Sequence, residues 1–308
     1  MNNINEARGY VRGLEKFTQY VLDIMEKIKE RFIEQYVKNN PQSSNFDDVT
    51  KMKYSIRDYI TKYGETNMKS LTQPIEIDSN TLKSLGVYGI NKFIVSIYGN
   101  LSSSGMFSQY DSEYNGNNWD ELSIELNLFL YMVGGAKEMA ATIQHEMTHA
   151  YEYARHVKQK GIDSAKNSDK NHYYRSEMND ENIVNLCSYI FSKTERNAVI
   201  SSLYTTLQYS NANRENYQEV IQDSDYQIML NKMNEVRNRI ANNNDTAFTE
   251  IVQWIKDNPE HVDMFPSIGN KSMTRYRKRL LQSIDSVISN FQTKGTRVVK
   301  YYLQQNQQ

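Results

Sequence analysis

The 308-residue sequence has one cysteine, four prolines and five histidines. A single cysteine, Cys187, excludes an intramolecular disulfide and any metal site built from several thiolates. It lies among Ile183, Val184, Leu186, Tyr189 and Ile190, so it reads as a small buried hydrophobe rather than a reactive thiol. An excess of charge of either sign is also missing, with a formal net charge of −1 and a pI near 6.5. No broad basic field is available to recruit nucleic acid or an anionic membrane, so neither is expected as a partner. No apolar run reaches the roughly 20 residues that cross a bilayer. The N-terminus lacks the charged-then-apolar order of a secretory signal. The expectation is a chain kept in a reducing, cytoplasmic compartment.

What the sequence does have is helical periodicity and aromatic bulk, with 23 Tyr and 10 Phe offsetting a modest 39% hydrophobic content. Over 5–37, Phe17, Val21, Ile24, Ile28, Phe32 and Tyr36 recur at three- and four-residue steps, predicting a long amphipathic helix that Pro41 follows. A weaker helical pattern covers 46–63. Residues 74–77 and 92–98 have strand composition. In 122–130, Leu122, Ile124, Leu126, Leu128 and Leu130 alternate with more polar positions, predicting a strand with one face on a core. Residues 99–120, rich in Ser, Gly, Asn and Tyr, read as a loop.

After Gly134-Gly135, a helix is expected over 136–158 with the stripe Met139, Ile143, Met147, Ala150 or Tyr151, and Ala154. Residues 161–170 read as a polar loop. From 176 onward several helices follow, including 225–241, 246–256 and 271–291, with a last short one ending at 303. The glutamine-rich end, 304–308, is low in complexity. The basic group Arg275, Arg277, Lys278 and Arg279 reads as a solvated helix face.

The chemistry sits on the helix after the Gly-Gly pair, in His145-Glu146-Met147-Thr148-His149. Residues four apart on an α-helix differ by about 40° and about 6 Å, so His145 and His149 project side by side and can pinch one ion. Zinc accepts imidazole nitrogen in tetrahedral geometry, and a catalytic site uses three protein ligands plus water. Glu146 is offset from both histidines, where its carboxylate can reach that water and act as general base rather than ligand.

The segment from Ala141 to Glu152 resembles the active-site helix of zincin metallopeptidases. A second segment, Tyr189-Ile190-Phe191-Ser192-Lys193-Thr194-Glu195-Arg196-Asn197-Ala198, is similar to one in zincin-like proteins of phages and mobile elements of gut bacteria. The likeness spans about residues 90–200. Arg155 and Glu152 stand where a metzincin carries its third histidine and its glycine, which excludes that class. His156 lies about 10 Å along the helix from His149, too far to share the ion.

Two third ligands remain open. A gluzincin uses a glutamate on a second helix, and Glu195 lies 46 residues after His149. Ser192-x-x-Glu195 also fits a capping box, in which the Glu195 carboxylate would bond the Ser192 backbone instead. His172 is the alternative ligand. Asn197 or Glu152 are candidate partners for a histidine ring, and Tyr173 or Tyr174 for stabilising developing charge.

The resemblance implies an α+β fold: a small zincin-like mixed sheet with active-site helices, within a mostly helical chain. The expected divisions are a helical segment at 1–70, the zincin-like core at 71–210 and a second helical segment at 211–308. The expected activity is zinc-dependent hydrolysis of peptide bonds, with Zn2+ as cofactor and a peptide or protein as substrate. Strand 122–130 is the expected place for that substrate to pair by strand addition. The alternative is a structural component of a phage particle or other large assembly that keeps the fold, with or without activity. A homo-oligomer or a large protein assembly would then be its partner, and the virion its location.

Overall fold

A computed structural model describes residues 14–39, 74–98, 105–108, 119–160, 182–242, 246–258, 265–269 and 272–306. The expected helix at 46–63, the polar loop at 161–170, and His172, Tyr173 and Tyr174 lie outside the described residues. Backbone contacts divide the chain into two compact units, Arg8–Ala154 and Arg155–Gln308. The class is α+β: a mostly helical chain carrying one small mixed sheet. Among the described residues, no helix is long and apolar enough to cross a membrane.

The first unit opens with α1 (Glu15–Asn39), whose buried face is Phe17, Val21, Met25, Ile28 and Phe32. Of the periodic positions in the sequence, Phe17, Val21, Ile28 and Phe32 fall on this face, while Ile24 is half-buried. Next come β1 (Ile75–Asp78), α2 (Ser79–Ser84), β2 (Ile90–Tyr98), β3 (Gly105–Ser108) and β4 (Trp119–Asn127). The strand order is β1-β2-β4-β3, with β2 and β4 parallel and the outer pairs antiparallel.

Register sorts the two faces. Ile77, Phe93 and Leu122 align across three strands, and Val95, Ile124 and Phe107 form the next row. Five of these six are fully buried, and Phe17 of α1 sets its ring edge-on to Phe93 at 5.3 Å. The opposite face carries Glu76, Lys92 and Glu121, where Lys92 bridges Glu121 at 2.6 Å and Glu76 at 3.9 Å. Such exposed pairs contribute little stability, so the sheet is held by its apolar face.

The structure corrects three expectations here. The strand read over 122–130 ends at Asn127, and Leu128 begins helix α3 (Leu128–Lys160). Asn127 is buried, and its Oδ1 accepts the Leu130 N–H at 3.1 Å, so it caps the new helix in the manner of Asn at an N-terminus. The Gly-Gly pair therefore kinks a helix rather than joining strand to helix. Gly135, at φ 77° and ψ −168°, interrupts α3 in a conformation that a side chain would make costly. The span read as loop at 99–120 contains β3, which makes β4 an interior strand over Ser123–Leu126, with β2 on one side and β3 on the other. Strand addition at β4 is blocked there, and the outer strand on this side is β3.

The second unit is helical: α4 (Ile183–Phe191), α5 (Lys193–Tyr209), α6 (Tyr217–Gln222), α7 (Asp225–Ala241), α8 (Ala247–Asp257) and α9 (Met273–Gln305). They enclose one apolar cluster that includes Cys187, Leu203, Met233, Ile251, Leu280 and Phe291. The sequence pattern suggested two helices where α9 runs unbroken through Gly295. That glycine is a contact site rather than a break: a Cβ there would meet the Tyr226 ring well inside 3.0 Å. Arg275, Lys278 and Arg279 are solvent-exposed, as the solvated-face reading expects, while Arg277 lies over the Phe248 ring at 4.4 Å.

Candidate metal centre

From Met139 to Ala150 every side chain of α3 is buried except His145 and His149, which are half-buried. Burying a helix on nearly all sides requires its polar groups to find partners. Thr142 and Thr148 donate their hydroxyls to the carbonyls of Glu138 and Gln144, at 3.0 and 2.7 Å. This back-bonding satisfies both hydroxyls without leaving the helix. The apolar residues Met139, Ile143, Met147 and Ala150 are buried as the stripe predicts.

His145 Nε2 and His149 Nε2 lie 3.1 Å apart, with their rings edge to face at 4.8 Å between centroids. Two ligand nitrogens on one tetrahedral zinc, with bonds of about 2.0 Å, sit about 3.3 Å from each other. The pair is therefore already at chelating separation, as the four-residue spacing demands. His145, His149 and Glu195 each offer one ligand atom, and these atoms all lie within 4.8 Å of one another. Two imidazoles and a carboxylate form a donor set that zinc accepts, so the residues fit a metal ion.

Glu146 does not join this group. It is buried, and its Oε2 accepts the backbone N–H of Phe107 at 2.8 Å. Adjacent helical residues differ by about 100°, which turns Glu146 away from the direction His145 takes. Phe107 and its partners were not legible as site residues. A four-residue strand inside a Ser- and Gly-rich segment has no periodicity of its own, and it exists because β4 offers an edge to pair with.

The local structure around Glu195 contains part of the expected capping box. Ser192 is both the C-cap of α4 and the N-cap of α5. Its Oγ accepts the Glu195 N–H at 3.3 Å, which is the first half of a capping box. The Ser192 N–H donates to the carbonyls of Ser188 and Tyr189 at 3.0 and 3.1 Å, closing α4. Asn197, expected as a partner for a histidine ring, is buried and receives Lys294 Nζ on its Oδ1 at 3.0 Å. His156 is half-buried on α3 and does not enter the ligand group.

No protein-family model, no curated protein and no solved structure matches the chain. The metal group, and what the surrounding residues can do with it, therefore rest on the geometry itself.

Proposed function

We propose that this chain is a zinc-dependent, zincin-like peptidase, with His145, His149 and Glu195 holding the ion and Glu146 as general base. The observation that carries this reading is a division of labour among neighbouring side chains. Three donors converge on one point, while a fourth, Glu146, stands outside them and is tied to a backbone amide.

Bound zinc would supply Lewis acidity, lowering the pKa of a water and polarising a scissile carbonyl. The protein's own groups then have distinct tasks. His145 and His149 act as neutral rings protonated at Nδ1, leaving both Nε2 lone pairs directed at the ion. Glu195 adds one negative charge and fixes the third direction. Glu146, with Oε2 held by the Phe107 N–H, would take the proton of an attacking water and deliver it to the leaving amine. A substrate peptide would lie beside β3 without pairing to the Phe107 amide, which Glu146 already holds.

The test is Glu146→Gln. It removes the proton acceptor while keeping an oxygen that can accept the Phe107 N–H. Cleavage of a broad peptide library should fall by about 10²–10⁴-fold, the usual worth of a general base, with metal content unchanged. Wild-type rates in this variant would refute the assignment. Metal without cleavage in the wild-type chain would favour the structural component instead.

A further inference from the structure

Two side chains of α3 grip the same residue of the sheet edge. Glu146 takes the Phe107 N–H at 2.8 Å, and Tyr153 sets its ring 6.2 Å from the Phe107 ring. Seven residues on a helix advance by nearly two turns, so the two side chains leave α3 within about 20° of each other. Tyr153 is buried, and behind it the Trp119 ring lies 5.1 Å away. Trp119 is itself anchored, since its backbone N–H donates to the Gly89 carbonyl at 2.9 Å where β4 begins beside β2.

The strand geometry gives this grip a direction. In an antiparallel pair, the N–H and C=O of one residue point together, either toward the partner strand or away from it. Phe107 sits opposite Ile124 of β4. Because its N–H goes to Glu146, that amide points away from β4, along the outer edge of the sheet. The height of β3 against α3 therefore sets the position of the amide that holds one oxygen of the Glu146 carboxylate. An unrestrained Glu side chain samples several rotamers, and holding it in one removes an entropy cost from the reactive geometry.

We propose that Tyr153 is a positioning residue for Glu146: braced on Trp119, its ring fixes Phe107, whose N–H holds Glu146 by Oε2. The proton-accepting task given to Glu146 rests on the peptidase reading. The clamp on Phe107 does not.

The experiment uses the full chain loaded with zinc, comparing wild type with Tyr153→Leu, Tyr153→Phe, Phe107→Leu and Glu146→Ala. Three quantities are measured: hydrogen exchange at the Phe107 amide, zinc content, and kcat and KM on a cleaved peptide. Tyr153→Leu and Glu146→Ala should each speed Phe107 exchange by about tenfold or more, as loss of one hydrogen bond's protection implies. Tyr153→Phe, which keeps the ring, should restore the protection. In Tyr153→Leu zinc content should stay at the wild-type level, while kcat falls by about tenfold with KM within about twofold, the pattern of lost transition-state geometry.

Phe107→Leu removes the other ring of the pair from a less buried position and should reproduce the fall in kcat, covering the case in which Tyr153→Leu does not fold. Unchanged protection of the position-107 amide in Tyr153→Leu, or in Phe107→Leu after correction for the intrinsic rate of leucine if only that variant folds, overturns the proposal. A rise in KM alone does the same. If the wild type cuts no peptide, the peptidase reading fails, and amide exchange still decides the clamp by itself.

Discussion

Replacing Gly295 by alanine sets two well-characterised effects against each other. In a helix interior, alanine is favoured over glycine by about 1 kcal/mol, so on propensity alone α9 would gain stability. At this position the new methyl would fall on the end of the Tyr226 ring. That ring cannot retreat cheaply, because it is buried and stacked on Phe291 at 4.8 Å and 15°. Overpacking of this kind costs typically about 1–3 kcal/mol, and more where both partners are fixed. The net expectation is destabilisation by about 1–2 kcal/mol, equivalent to a fall in melting temperature of roughly 2–8 °C for a unit of this size.

The consequence should reach the metal group. Lys294, the neighbour of Gly295, donates to Asn197, two residues beyond Glu195 on α5. Calorimetry and a zinc titration of the same variant therefore report on one displacement. Introducing Tyr226→Leu first should reverse the sign, since the methyl then has room and only the propensity gain remains. A Gly295→Ala chain that melts higher than wild type would refute the packing on which this reasoning depends.

Glu26 and Tyr131 give a pH-dependent prediction. Lys29, 2.5 Å from Glu26, and the Tyr131 hydroxyl, also at 2.5 Å, together hold the Glu26 carboxyl below its usual range. A lowered carboxyl stabilises the fold above its unfolded pKa and loses that contribution as pH falls through the folded value. Tyr131→Phe should cost about 1 kcal/mol at pH 7, and the gap from wild type should narrow below about pH 4; a gap that widens in acid, followed by urea melts, would contradict it. Burial pushes the Cys187 thiol up and hides it from solvent. A thiol reagent at pH 8 should leave the native chain unlabelled and count one thiol after denaturation, and rapid native labelling would show that the helical core is not closed around α4.

The legible parts of this structure are those where a local pattern and the tertiary context ask for the same thing. The α1 stripe from Phe17 to Phe32, the alternation of Leu122, Ile124 and Leu126, and the His145–His149 pair all follow from the periods 3.6 and 2. Glu195 was within reach because a helix N-terminus announces itself through Ser192, although spacing alone could not choose between cap and ligand. What the sequence hid depends on partners distant in the chain. The alternation over 122–130 continues beyond Asn127, but the capping side chain there starts a helix regardless. β3 is a strand only beside β4, and Gly295 is read correctly only once Tyr226 is known to lie against it. Glycine is ambiguous in sequence because a kink at Gly135 and a close contact at Gly295 call for the same residue for opposite reasons.

The central claim is that His145, His149 and Glu195 hold one zinc ion. Elemental analysis of the purified wild-type chain, His149→Ala and Glu195→Ala, each dialysed against zinc and then against buffer, tests it most directly. The account predicts about one zinc per wild-type chain and its loss in both variants, with helix content preserved. A wild-type chain that retains no zinc, or a Glu195→Ala chain that retains it as tightly as wild type, would contradict it.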